Sequence, residues 1–332
     1  MAAEGGVNII RFTYTGAVGE NIPDEATHIA VAEDCTFVRA RAFYRHPNIV
    51  EVICHDNVKK IERGAFFLCP KLWRVIMPGV KEVEEEAFDN CRALTDVECG
   101  KLEVLKGWAF RFCKSLRSIN LPSARLVERC AFRNCDALTD VKFGSNLERF
   151  EDWAFHECIN LERITIPLKD GLITDDDTFL GCLVLKHVVL VEEELLNKTI
   201  AALQLEDWRN DVNEEIDSIH QNLCNARAGW LYEEGDLDAG EKAQVIRTWI
   251  RSVLDKIDHY KAEHQRILEE ATTLLELAIW KANLDDTHGS EIVREGVRTT
   301  RGSVKRARRE LCVTSGANIV IKNVLPFLQL KS

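Results

Sequence analysis

The chain has 332 residues, a formal net charge of −11, 46% hydrophobic and 29% charged residues. That length holds two domains, and the composition is that of an ordinary globular protein. The acidic balance argues against bulk nucleic-acid binding, which needs a basic footprint. No apolar run reaches the ~18 residues that a transmembrane helix requires.

Residues 1–27 read as a lead-in. Met1-Ala2-Ala3-Glu4-Gly5-Gly6 has neither a basic n-region nor an apolar h-region, so no secretory signal is expected. The expected location is the cytoplasm, with the nucleus as the alternative.

Residues 28–190 carry a repeat. Phe43, Phe66, Phe88, Phe110, Phe132, Phe155 and Phe179 recur every 22 to 24 residues, and Ala precedes the first six. Three residues after Phe stand Cys69, Cys91, Cys113, Cys135, Cys158 and Cys182, with His46 in the first copy. Six after Phe comes Leu or Ile. Nine after come Val52, Val75, Val97, Ile119, Val141, Ile164 and Val188. Eleven after come Cys54, Met77, Cys99, Leu121, Phe143, Ile166 and Leu190. A fixed period in this range marks a stacked solenoid, in which neighbouring repeats bury the apolar face that none can bury alone. The positions nine and eleven after Phe alternate as a strand does and should both point inward. Pro78, Gly100, Pro122, Gly144 and Pro167 then end the strand. The Ala-Phe-x-x-Cys segment is expected on a short helix or turn.

The unit resembles the BspA-like subclass of leucine-rich repeats, most clearly at Ile61-Glu62-Arg63-Gly64-Ala65-Phe66-Phe67-Leu68-Cys69 and Ala131-Phe132-Arg133-Asn134-Cys135. The resemblance covers residues 28–190. It implies about seven repeats and a concave sheet that binds other macromolecules. Proteins similar to this are bacterial and protozoan surface antigens and large families in single-celled algae.

The ladder cysteines read as reduced core thiols. One per repeat is a packing pattern, free Cys behaves as a small buried hydrophobe, and no leader points to an oxidising compartment. No C-x-x-C pair is present, so no metal is expected. Asp175-Asp176-Asp177 lacks the glycine and distal glutamate of a calcium loop and reads as a polar turn or helix start.

The outward strand positions, eight and ten after Phe, would line the concave sheet. Six steps of ~4.8 Å give a groove of about 29 Å, the size of a peptide or domain face. The candidate binding residues are Trp73, Arg74, Ile76, Asp96, Glu98, Asn120, Asp140, Lys142 and Arg163. Trp73 and Ile76 are the expected anchors. Trp108 and Trp153, two before Phe, should pack on the opposite flank.

Residues 191–286 read as a helical hairpin. Trp208, Val212, Ile216, Ile219 and Leu223 form one helical face. Gly229, Gly235 and Gly240 mark a break, and Asp238 with Glu241 resembles a capping box. Ile246, Ile250, Val253, Ile257, Tyr260, His264, Ile267, Ala271, Leu274 and Ala278 then follow a heptad seam. The partner helix, the solenoid end or a second chain would close that seam, the last giving a homodimer. The apolar stretch Leu274–Trp280 is expected to be buried.

Residues 192–286 hold 22 acidic and 10 basic side chains, whereas residues 287–332 hold 3 and 9. The basic stretch Arg294–Arg309 is therefore expected beside the acidic hairpin, with a nuclear or phosphate-binding signal as the alternative. The apolar tail Ile319–Leu328 is expected to pack on the hairpin. Tyr260-Lys261-Ala262-Glu263-His264 and this tail resemble the C-terminal module found with algal BspA-like repeats.

Phosphate loops, dinucleotide glycine fingerprints, nucleophile elbows, H-E-x-x-H helices and kinase motifs are absent from the sequence. The expected fold is α+β, a leucine-rich-repeat solenoid followed by a mostly α-helical domain. The expected function is a non-enzymatic scaffold without cofactor that binds a protein or peptide, with no membrane or nucleic-acid partner. The alternatives are a surface adhesion protein and an enzyme whose site lies in the helical region.

Overall fold

The computed structural model describes residues 9–191, 198–203, 205–225 and 241–291. Six of the repeats contribute one strand to each of two layers, and β1, β14 and β15 contribute to the first layer alone. The first layer holds β1 (Arg11–Tyr14), β2 (His28–Val31), β4 (Glu51–Ile53), β6 (Arg74–Ile76) and β8 (Asp96–Glu98), then β10 (Ser118–Leu121), β12 (Asp140–Phe143), β14 (Arg163–Ile166) and β15 (His187–Leu190). The second layer is a six-stranded sheet of two-residue strands: β3 (Phe37–Val38), β5 (Lys60–Ile61), β7 (Glu82–Val83), β9 (Val104–Leu105), β11 (Leu126–Val127) and β13 (Arg149–Phe150). All pairings are parallel, and repeat positions face one another, as in Val52 opposite Val75 and Val75 opposite Val97.

The lead-in takes part in this stack. Its β1 pairs with β2, and Tyr14 packs on Phe43 at 5.1 Å between ring centres. The Tyr14 hydroxyl accepts from the Arg39 amide at 3.1 Å. This aromatic ends the phenylalanine ladder on the N-terminal side.

Inside the solenoid the repeat phenylalanines stack from Phe43 to Phe179. Their centres lie 4.9–5.6 Å apart and their planes within 4–8°. Beside them the cysteine thiols donate, each to the carbonyl of the phenylalanine one repeat back, as in Cys69 to Phe43 at 3.1 Å and Cys113 to Phe88 at 3.3 Å. His46 fills the same place in the first repeat, its Nε2 lying 3.0 Å from the Pro23 carbonyl. The residue type differs, but the carbonyl is still met.

The Ala-Phe-x-x-Cys segments are turns, and only the last begins with a helical element, the 3-10 helix Asp176–Phe179. Asp175 caps it by accepting from the Asp177 amide at 2.7 Å. The other turns bend through left-handed backbone two residues before and two after Phe, as at Glu86 (φ 59°) and Asn90 (φ 63°) around Phe88. Such backbone costs a non-glycine residue roughly 1–2 kcal/mol. The stack offsets it with bonds between turns: Glu86 donates to Gly107, Phe88 to Ala109 and Asn90 to Arg111, at 3.1, 2.8 and 2.7 Å.

Two inward positions differ from expectation. Val97 and Val188 are only half-buried, whereas the other residues nine after Phe are buried. Val97 lies at a break. The first layer divides into the five-stranded sheet ending in β8 and the four-stranded sheet beginning with β10. Val188 lies on β15, the last strand of its sheet, with a pairing partner on one side only.

Among the described residues two long helices follow, α1 (Glu206–Asn225) and α2 (Glu241–Glu291). The chain forms two compact units, Met1–Leu196 with Glu214–Leu254, and Asn197–Asn213 with Asp255–Ser332. In the first, Trp249 Nε1 donates to the Glu215 carbonyl at 2.9 Å. There too, Lys242 at the start of α2 is buried against the last repeat, and its ammonium donates to the carbonyls of Cys182, Leu183 and Leu185 at 2.8, 3.0 and 3.0 Å. In the second, Asp211 accepts from the Tyr260 hydroxyl at 2.6 Å and from Lys256 at 3.0 Å, and Trp208 stacks on Tyr260. Contacts that advance along α2 retreat along α1, so the helices are antiparallel.

The seam is buried at Ile246, Ile250, Val253 and Ile257 and half-buried at Tyr260, His264 and Ile267. Farther on, Leu274, Leu277, Ile279 and Trp280 are exposed rather than buried. Trp208, near the first turn of α1, already lies against Tyr260, so α2 continues past the start of α1. The glycines at 229, 235 and 240, the Asp238 cap, the basic stretch Arg294–Arg309 and the tail Ile319–Leu328 lie outside the described residues.

Candidate functional site

The candidate residues of the first layer fall on both sides of the β8/β10 break. Arg74, Ile76, Asp96 and Glu98 belong to the five-stranded sheet, and Trp73 immediately precedes its strand β6. Asn120, Asp140, Lys142 and Arg163 belong to the four-stranded sheet.

On the first side the structure gathers them. Parallel pairing places Glu51, Arg74 and Asp96 in one row and Ile53, Ile76 and Glu98 in the next. The Arg74 guanidinium sits among three carboxylates. Nη1 is 3.3 Å from Glu51, Nε is 3.0 Å from Asp96 and Nη2 is 3.0 Å from Glu98. Nη1 and Nη2 donate to Glu51 and Glu98, whereas Nε makes no hydrogen bond, so Arg74 orders the face rather than offering a free fork to a ligand. Three carboxylates against one cation leave the spot negative. Beside it Trp73 and Ile53 are 43% and 44% exposed, and Ile76 is half-exposed. Ile53 and Glu51 therefore join the candidate set. Their signal in the sequence is position, since they fall ten and eight residues after Phe43, as Ile76 and Arg74 do after Phe66.

On the other side the residues stay dispersed. Lys142 lies 3.6 Å from Asp140 on the same strand. Asn120 is exposed opposite Lys142, and Arg163 is exposed opposite Asp140 in the register. The exposed apolar side chain of this sheet is Val189 on β15, opposite Thr165.

The turn edge holds residues that sequence reasoning treated only as packing. Trp108 and Trp153 are half-buried at left-handed positions, with φ 58° and 57°. Arg111 lies over Trp108 at 5.9 Å, and Arg129 and Arg133 lie over Trp153 at 4.6 and 6.0 Å. The signal was an arginine one residue after Phe or three before it, next to a tryptophan two before Phe in the same or the following turn.

Among the described residues no cluster of three or more His, Cys, Asp or Glu side chains is placed to hold a metal ion. No described helix is long and apolar enough to cross a membrane.

A model of the BspA type leucine rich repeat region matches residues 24–126 and 109–205, in 6 copies, and so covers more than half of the chain. The chain belongs to this family. A search of curated proteins finds no match. Among solved structures, the BspA-type chain is similar to a leucine-rich repeat protein from Bacteroides ovatus, at 23% identity over 56% of this chain and 43% of that one, with a TM-score of 0.40. It is also similar to the T. pallidum leucine rich repeat protein, at 22% identity over 55% and 69%, with a TM-score of 0.34. The chain spans less than half the length of the Bacteroides ovatus protein.

Proposed function

We propose that this BspA-type chain is a non-catalytic binding protein that takes a protein or peptide segment on the first layer, across Ile53, Trp73 and Ile76. The observation that carries this is the exposed apolar group on neighbouring strands beside the Glu51, Asp96 and Glu98 carboxylates. Large apolar side chains held on a rigid strand platform are the usual anchors of recognition. Solenoids bury their repeat faces and keep one sheet surface for partners. Leucine-rich repeats of this family generally serve protein interaction or adhesion, which supports the same reading. The charge asks for a partner that brings an apolar side chain next to a lysine or arginine. The free, buried thiols support a reducing compartment.

Peptide display selected on the intact chain tests this. Recovered peptides should combine apolar and basic residues. Binding should fall at least about tenfold in an Ile53→Asp, Trp73→Ala variant, a loss of ~1.4 kcal/mol or more, and stay unchanged in Lys142→Ala. Peptides that bind the variant as tightly as the intact chain would place the binding surface elsewhere.

A further inference from the structure

Along the turns and the short-stranded layer, cations are matched to acids one repeat away. Lys60 pairs with Glu82 and Glu84, Arg63 with Glu85 and Glu86, Lys106 with Glu128, and Arg111 with Asp89. In the short-stranded layer the matching runs on to Arg125 with Glu148, but two turns depart from it, the first, where Arg41 and Arg45 lie over Tyr44, and the fifth. Arg129 and Arg133, flanking Phe132, form no ion pair with any described residue. Both are placed instead over Trp153 of the next turn.

Trp153 is a fixed platform. Its Nε1 donates to Asp177 Oδ2 at 3.0 Å, which also occupies that carboxylate. Of the other nearby acids, Asp152 and Glu157, the latter accepts from the Asn134 side-chain amide. His156 lies against Trp153 at 6.2 Å between ring centres. Burial and the neighbouring Arg133 lower its pKa, so it adds no charge near pH 7. Arg129 is exposed and Arg133 half-exposed. A guanidinium held over an indole keeps hydrogen-bond donors at its edge, and the ring restricts where they point. Two such forks suit carboxylates, which they bind in bidentate fashion.

We propose that Arg129 and Arg133, backed by Trp153, dock a short acidic segment of a partner protein through its carboxylate side chains. The patch is one turn wide. Asp152, Glu157, Asp176 and Asp177 follow immediately in the next two turns. A short run of glutamates or aspartates can end at the patch, whereas a nucleic-acid backbone continuing along the turns would meet those acids. This surface is independent of the Trp73 face.

The probe is a fluorescein-labelled peptide of about six glutamates, read by anisotropy against the full chain at low salt, with the matching glutamine peptide as control. The glutamate peptide should bind at least about tenfold more tightly than the glutamine peptide. Arg129→Ala with Arg133→Ala should remove that preference, and the double lysine variant should restore only part of it, because lysine lacks the fork. Trp153→Phe keeps a ring but loses the bond to Asp177, and should weaken binding less than the double alanine change. Circular dichroism melts of each variant separate lost binding from lost fold. The proposal is overturned if neither peptide binds, if both bind equally, or if the folded double alanine variant binds as the intact chain does. It is also overturned if a thymidine oligonucleotide competes more strongly than the glutamate peptide for the same two arginines.

Discussion

The thiol of each ladder cysteine has two neighbours to satisfy, the apolar phenylalanine stack and a buried carbonyl. Alanine at that position would remove this second bond, while the carbonyl keeps a backbone donor, as Phe43 does from the His46 amide at 3.1 Å and Phe88 from the Cys91 amide at 3.2 Å. Cysteine meets both demands because it is nearly apolar and still donates a weak hydrogen bond. The same burial makes the ladder inert, since the nucleophile is the thiolate. Burial pushes the Cys54 and Cys99 thiols up to about 12 and raises Cys91, Cys135, Cys158 and Cys182 as well. Cys224, in contrast, is exposed on α1. A thiol reagent at pH 8 should therefore label Cys224 on the native chain and reach the ladder only in denaturant. Mass spectrometry of tryptic peptides reads this directly, and disulfides between ladder positions in the native chain would refute the reduced core. The cysteine column was legible in the sequence, because a residue type that recurs at one offset is a packing position. Its carbonyl partner was not legible, because that contact lies 25 to 27 residues away in the chain.

At the level of elements, the longer strands announced themselves through apolar residues two apart. The second layer did not, because a two-residue strand shows no alternation. Its signal was the single apolar residue five before Phe, at Ile61, Val83, Leu105 and Val127. The hairpin seam was legible where α1 covers α2 and misleading at Leu274–Trp280, since heptad spacing does not reveal where the partner helix begins. The join between α2 and the last repeat was also hidden, because it depends on one lysine. Burial lowers the Lys242 pKa, but the three carbonyls that surround the ammonium favour its charged form. Lys242→Met keeps most of the apolar stem and leaves those carbonyls without their donor. We expect a loss of about 3 kcal/mol, within the range for breaking buried charge-assisted hydrogen bonds. Hydrogen exchange should quicken in β15 and the first turns of α2 and stay unchanged in β2 and β4, since a repeat stack transmits damage mainly to nearest neighbours. Equal loosening throughout the solenoid would show that Lys242 does not act as a local clasp.

On the scale of the whole solenoid, stability depends on continuity between neighbours, and the break between β8 and β10 is where continuity is thinnest. The first layer has no strand pairing there. The two halves are joined instead by the β7–β9 pairing, by the turn bonds from Glu86, Phe88 and Asn90, by Arg111 on the buried Asp89, and by Phe110 stacked on Phe88 at 5.1 Å. Phe110 also stacks on Phe132 at 5.6 Å, so its ring is the apolar link across the boundary. Truncating a buried phenylalanine to alanine costs about 3–5 kcal/mol. At most ladder positions a loss of that size would lower one cooperative transition. At position 110 it falls where the sheet is already divided, so the same change should separate the solenoid into two transitions. Phe110→Ala is expected to show biphasic denaturant unfolding, with β10 and β12 losing amide protection before β2 and β4. Phe66→Ala, which lies inside the continuous five-stranded sheet, should unfold in a single transition with a lower midpoint. If both variants lose stability in one step with matching exchange patterns, the turns and the second layer alone couple the halves, and the break in the first layer has no mechanical consequence.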